Sequence, residues 1–131
     1  MTFRKIFDSA LRMVCEIAND GSAIEDYTDR APFILATGVG DCFELDARYR
    51  KANGLPEIPP FEEMSVDLDT DFFLSSIFAP ALVYYLSSML VVDENEKMCD
   101  RYFSLYAAAI AAIEGSLPML TEPIVDCYGI M

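Results

Sequence analysis

Histidine and tryptophan are missing from this chain, and basic residues are scarce. Only 9 Lys and Arg stand against 22 Asp and Glu, for a formal charge of −13. Without histidine, neither a zinc finger nor a Cys/His catalytic pair can be built. The cysteines, Cys15, Cys42, Cys99 and Cys127, are far apart and form no CxxC pair. Three of them fall in helical, apolar contexts, where free Cys behaves as a small hydrophobe. No disulfide framework is expected, which points to a reducing, intracellular origin. The opening MTFRKIFDSAL has no long apolar core before Asp8 and does not read as a signal peptide. No basic residue occurs between Lys51 and Lys97, and none after Arg101. Such a chain cannot hold nucleic acid by neutralising phosphates.

What is present is apolar. At 131 residues the chain is long enough for one domain with one core. An apolar fraction of 53%, with aromatics supplied by Phe and Tyr, excludes a disordered chain. The dominant feature is the uncharged run from Phe72 to Val92. Its length satisfies the transmembrane criterion. Its flanks do not: Asp71 precedes it, Asp93-Glu94 follows it, and no Lys or Arg lies at either mouth. Ser75, Ser76, Ser87, Ser88 and Pro80 interrupt it. The run is expected to be a helix buried in protein, the hub on which the other elements pack. A small single-span membrane protein is the weaker alternative.

Around that hub the pattern predicts a mainly α fold: a compact bundle of about four helices, with an extended Pro-rich arm between helices two and three and an extended C-terminal tail. Phe3, Ile6, Ala10, Val14 and Ile17 give helix one over 3–18, capped by Thr2 and ended by Asn19-Asp20-Gly21. Helix two is expected to start near Asp26 or Asp29, with Pro32 in its first turn, and to run to about Lys51. Its apolar face is read as Phe33, Ala36, Val39 (or Gly40), Phe43 and Ala47. Gly38 and Gly40 lower helix propensity, so their expected value is close approach of a neighbouring helix. Pro56, Pro59 and Pro60 make residues 55–64 an extended connector. Met64, Val66 and Leu68 then alternate with polar residues, as an edge strand or an extended arm would. Asp69 or Thr70 is read as the cap of the central helix, which Pro80 should kink or restart. Asp93 and Glu96 have capping-box spacing for helix four, which is expected to end at Glu114 before Gly115. Its inner face is read as Met98, Tyr102, Leu105 (or Tyr106), Ala109 and Ala112. The domain is thus 1–116, and 117–131 forms the tail. An apolar terminus more often docks than frays.

Few constellations carry chemistry. Asp67, Asp69 and Asp71 open like a calcium loop, but Phe72 and Phe78 occupy the positions that need Gly and Glu. The Glu62-Glu63 and Glu96/Asp100 pairs resemble magnesium-holding carboxylates of helical pyrophosphatases, but helix three offers no facing acid. Gly38-Val39-Gly40 is no phosphate loop, since no Gly-Lys-Ser/Thr follows. Tyr84, Tyr85, Tyr102 and Tyr106 read as core and interface packing. No catalytic residue, cofactor site or metal site is expected. The interface candidates are Met64, Val66 and Leu68 in the arm and Ile124, Val125 and Tyr128 in the tail.

Two stretches carry a family resemblance. The first is Asp26-Tyr27-Thr28-Asp29-Arg30-Ala31-Pro32-Phe33-Ile34, leading into Phe43-Glu44-Leu45-Asp46 and Tyr49-Arg50. The second is Phe78-Ala79-Pro80-Ala81-Leu82 and Tyr85-Leu86, then Leu90-Val91-Val92-Asp93-Glu94-Asn95-Glu96 and Arg101-Tyr102-Phe103 with Tyr106. The tail Ile124-Val125-Asp126-Cys127-Tyr128-Gly129 completes the pattern. Together these resemble the small prophage proteins of Firmicutes that belong with the head–tail connector (adaptor) proteins of long-tailed phages. The resemblance covers most of the chain after Ile24, and its motifs are mainly helix-packing patterns. The glycine-rich Gly38-Val39-Gly40 segment departs from it. The resemblance implies a virion structural protein that forms a ring of about a dozen copies below the portal. It implies the portal and tail-side connector proteins as partners, DNA passing without specific binding, no catalysis and no membrane. It places the protein in the host cytoplasm during assembly and then in the virion. The competing reading is a soluble helical prophage regulator or binding module.

Overall fold

The computed structural model describes residues 1–14 and 21–117. Those residues form a compact bundle of α1 (Phe3–Met13), α2 (Gly21–Ala52), α3 (Ala79–Leu90) and α4 (Glu96–Ser116). No strand occurs among them; the one isolated bridge pairs Thr2 with Asp71. The fold is mainly α, as the hydrophobic spacing predicted, and α3 is the hub, packing against each of the other three helices.

The uncharged run is divided. Residues 72–75 are not helical, Ser76–Phe78 form a single 3-10 turn, and α3 begins only at Ala79. Pro80 therefore sits in the first turn, where a missing N–H removes no intrahelical bond. It starts the helix; the expected caps, Asp69 and Thr70, instead form a turn in which Thr70 N–H donates to the Asp67 carbonyl. The resulting α3 is about 18 Å long, well short of a bilayer core of about 30 Å. Among the described residues no helix is long and apolar enough to cross a membrane.

The arm caps α1. Thr2 occupies the N-cap position but makes no side-chain capping bond. Instead the Phe3 and Arg4 amides donate to the Thr70 and Leu68 carbonyls at 3.1 and 2.8 Å. Two orphan donors of the first helical turn are satisfied by backbone remote in sequence. Phe3 is also wedged edge-on against Phe72 and Phe73, with ring centroids 5.3 and 5.6 Å apart. On α1 the predicted residues Phe3, Ile6, Ala10 and Val14 are all buried, together with Phe7. α1 ends at Met13 with Val14 as its C-cap, short of the expected residue 18, and the stop signal read at Asn19-Asp20 lies outside the described residues.

α2 begins earlier than expected, so Pro32 lies inside it. The helix passes through that proline without the N–H, and the Pro32 carbonyl takes the Val66 amide of the crossing arm at 3.1 Å. Asp26, read as a cap, is instead an i,i+4 partner of Arg30 at 3.0 Å. The predicted inner face is also partly out of phase: Phe33 is 59% exposed, while Tyr27, Ala31, Leu35 and Cys42 are buried. Gly54 ends the helix as predicted, with φ +67° and a Leu55 N–H to Arg50 carbonyl bond of 2.8 Å.

Gly38 and Gly40 separate cleanly. A Cβ at Gly38 would stand 2.8 Å from Leu82 Cδ2 and 2.9 Å from Tyr85 Cδ2, whereas one at Gly40 would meet nothing within 4 Å. Only Gly38 lets α2 approach α3. Both substitutions to Ala gain about 1 kcal/mol of helix propensity. At Gly38 overpacking of about 1–3 kcal/mol opposes that gain, because Leu82 and Tyr85 are themselves buried. Thermal melts should therefore move in opposite directions, up for Gly40→Ala and down for Gly38→Ala. A rise for both would mean that the α2–α3 contact is loose.

The N-cap of α4 is Asn95, whose side-chain oxygen accepts the Met98 amide at 3.0 Å; the expected Asp93–Glu96 capping box does not form. Tyr106 and Ile113 face the core, with Met98, Tyr102 and Ala109 partly buried against it. Leu105 and Ala112 face outward. The helix runs past Gly115 to Ser116. What stops it is Pro118, which disfavours helical geometry at Leu117; Leu117 is extended at φ −81°, ψ 147°.

Candidate assembly surface

The molecule has two chemically distinct parts: a polar interior framework and an apolar outer helix face. The framework centres on Asp46, which is fully buried. Its carboxylate accepts Arg50 Nε and the Ser75 amide, each at 2.9 Å. Arg50 extends the network by donating to the Phe73 carbonyl at 2.8 Å and to the Pro56 carbonyl at 3.0 Å. One guanidinium thus ties α2 to both ends of the Pro-rich arm. Arg30 does a similar job at the end of α3, donating to the Met89 and Leu90 carbonyls at 2.8 and 3.3 Å. A cation there satisfies carbonyls that have no intrahelical partner. Tyr27 OH donates to Glu94 beside it. Burial, and then that carboxylate, push the Tyr27 phenol well above its ordinary range.

The tyrosines expected to serve packing do so. Tyr85 and Tyr106 are buried with ring centroids 5.1 Å apart, and Tyr102 OH donates to the Met13 carbonyl at 2.7 Å. Cys42 lies 3.8 Å from Tyr106 OH. Burial pushes its thiol up to about 11, far from the thiolate form that reacts. Cys42 and Cys99 are free; Cys15 and Cys127 lie outside the described residues.

The arm residues proposed for an interface divide. Met64 is 84% exposed, but Val66 and Leu68 are 7% and 6% exposed, turned into the chain's own core. The alternation was real; the face it marks is internal. Val66 and Leu68 therefore offer no side chain to a partner. Ile124, Val125 and Tyr128 lie outside the described residues. Asp67, Asp69 and Asp71 form no metal cage: Asp67 accepts the Asp69 amide at 2.9 Å and Asp69 pairs with Arg4 at 2.7 Å. Arg4 holds the Asp69 carboxyl below its ordinary range. Among the described residues no cluster of acids and cysteines is placed to hold a metal.

The surface that sequence reading missed is the outside of α4. Between Arg101 and Glu114 the helix carries no charge. Phe103 and Leu105 are 44% and 39% exposed on opposite flanks of the outer side, with Ala107, Ala108, Ala111 and Ala112 exposed between them. An exposed apolar helix face on a strongly acidic protein is a candidate contact surface. The signal was legible as a stretch uncharged on every side, not only on the side facing α3. Phe33 and Val92 form a smaller exposed apolar pair bordering a cleft with Ile34 and Met89. No protein-family profile, curated protein or solved structure matches the chain.

Proposed function

We propose that the chain is a virion structural protein of the head–tail connector class. Copies form a ring that joins portal to tail, and DNA passes through it. The observation that carries this reading is the uncharged, solvent-facing side of α4 on an otherwise acidic helical body. That combination supplies one sticky face for assembly and walls that repel DNA. The resemblance over the α2 and α3–α4 stretches points the same way.

Co-expression with the portal protein of the same genome tests the reading. Electron microscopy should find rings with a central channel seated on the portal. A one-to-one complex with some other soluble protein, and no rings, would favour the regulator. DNA binding gives an independent check. No gel shift is expected with duplex DNA at micromolar protein and low ionic strength, because residues 52–96 and 102–131 contain no cation to neutralise phosphates. A clear shift under those conditions would contradict a conduit.

A further inference from the structure

We infer that the Pro-rich arm is a docking ligand: residues 55–63 present Pro56 and Pro59 to a partner protein whose groove is floored by Trp or Tyr and rimmed by Lys or Arg. The reading stands apart from the ring and needs only the arm.

Residues 55–63 form neither helix, strand nor turn. Prolines hold φ at 56, 59 and 60 at about −65° and push 55, 58 and 59 out of helical geometry. That favours polyproline II, a helix of three residues per turn. The burial follows that period. Ile58 and Phe61, one such turn apart, are half-buried against the core. Pro56 and Pro59, spaced the same way, are exposed, and so is Glu62 a turn further. The arm is also held in place. The Leu55 amide donates to the Arg50 carbonyl at 2.8 Å, Arg50 donates to the Pro56 carbonyl at 3.0 Å, and Phe61 lies 5.4 Å from Phe73. A connector between α2 and α3 calls for length alone. This one is fixed before any partner arrives, which lowers the ordering cost of binding.

Among the described residues no backbone–backbone hydrogen bond involves residues 57–65. Strand addition is one way such a segment binds, and it runs on main-chain N–H groups. Pro59-Pro60 removes them in succession, on both edges. The remaining mode seats prolyl rings on aromatic side chains, and Pro56-Glu57-Ile58-Pro59 has the PxxP spacing that aromatic grooves take. Charge sets the rim. Glu57, Glu62 and Glu63 are exposed, and among the described residues no ion pair engages them. A groove with basic edges complements that. A second copy does not supply one. The chain has no Trp, and the exposed aromatic side chains among the described residues are single phenylalanines, Phe33 on α2 and Phe103 on α4.

Purified SH3, WW and EVH1 domains are the probes, since each carries an aromatic-lined groove for Pro-rich segments. The full-length chain has no Trp, so tryptophan emission in the titration comes from the probe alone. At least one probe should show a saturable shift. Pro56→Ala/Pro59→Ala, at exposed positions, should keep wild-type helicity by circular dichroism and bind that probe roughly tenfold or more weakly. Glu57→Lys/Glu62→Lys should weaken binding by a similar factor. Pro60→Ala, on another face of the arm, should retain affinity within about threefold. No saturable shift with any of the three probes overturns the inference. So does a probe that binds wild type and the Pro56→Ala/Pro59→Ala variant equally, because its site then lies elsewhere on the chain. Unchanged affinity for Glu57→Lys/Glu62→Lys overturns the basic rim, and a loss at Pro60→Ala equal to that of the double proline variant overturns the assignment of faces.

Discussion

Leu86→Asp is expected to leave the chain unfolded at room temperature. Leu86 is 0% exposed and lies in the middle of α3, the helix against which the other three pack. Removing the leucine side chain alone costs about 2–5 kcal/mol in transfer and cavity terms, so Leu86→Ala should fold with a lowered melting temperature. The carboxylate adds burial of a charge. The polar groups nearest in sequence are engaged: Ser87 Oγ donates to the Val83 carbonyl at 2.7 Å and Ser88 Oγ to the Tyr85 carbonyl at 2.8 Å. A lone buried charge adds several kcal/mol more. The sum approaches the whole stability of an ordinary domain, about 5–15 kcal/mol. Val92→Asp is the control. That residue is 44% exposed just past the end of α3, and its substitution should shift stability by no more than about 0.5 kcal/mol. Circular dichroism and urea titration of the three variants would show the ordering. A cooperative melt for Leu86→Asp near that of Val92→Asp would mean that the α3 core is not the hub.

That hub was legible because absence of charge is a strong constraint. A stretch apolar all round has to be buried, and the lack of Lys or Arg at either mouth weighed against the bilayer as its surroundings. Its exact extent was not legible. Whether residues 72–75 begin the helix or belong to the arm depends on Phe72 and Phe73 stacking on Phe3, a contact across the whole chain. The caps were misread for the same reason. Thr2 and Asp93 carry the right local chemistry, but the Leu68 and Thr70 carbonyls and the Asn95 side chain are better placed to bond the helix ends. Val66 and Leu68 show the general problem in small. Period-two alternation says that one side of a segment is apolar, and only packing says whether that side meets its own chain or another. On α2 the expected start near Asp26 or Asp29 is later than the helix's own start at Gly21, which leaves Pro32 inside it, where the crossing arm meets the helix through the Val66 amide and the Pro32 carbonyl. The α4 face was the reverse case. Of the inner face read as Met98, Tyr102, Leu105 (or Tyr106), Ala109 and Ala112, Tyr106 is buried and Met98, Tyr102 and Ala109 are partly buried, but Leu105 and Ala112 face outward, so the outer side is apolar too.

The second large effect is expected at Asp46, a residue whose weight only the packing reveals. An Asp and an Arg four apart on a helix ordinarily form a solvent-exposed pair worth about 0.5 kcal/mol. Here Asp46 is fully buried and the side chain of Arg50 is 14% exposed, so the pair is a desolvated one. Asp46→Ala would strand the Arg50 charge and the Ser75 amide together, and breaking such a buried pair from one side costs about 3–5 kcal/mol. For a chain of this size the melting temperature should fall by roughly 10–20 °C. Asp46→Asn keeps an acceptor for the Ser75 amide and should lose less. The double variant Asp46→Leu/Arg50→Met removes both charges and should recover part of the stability lost in Asp46→Ala, as paired apolar replacements of buried ion pairs often do. It should not recover the arm. Arg50 is also the donor to the Pro56 and Phe73 carbonyls, so without it both ends of the Pro-rich segment lose their tie to α2. Limited proteolysis separates the two roles. The double variant should melt above Asp46→Ala yet be cut faster than wild type between residues 53 and 64, whereas equal protection in that segment would show that packing of Phe61 against Phe73, at a ring distance of 5.4 Å, holds the arm by itself.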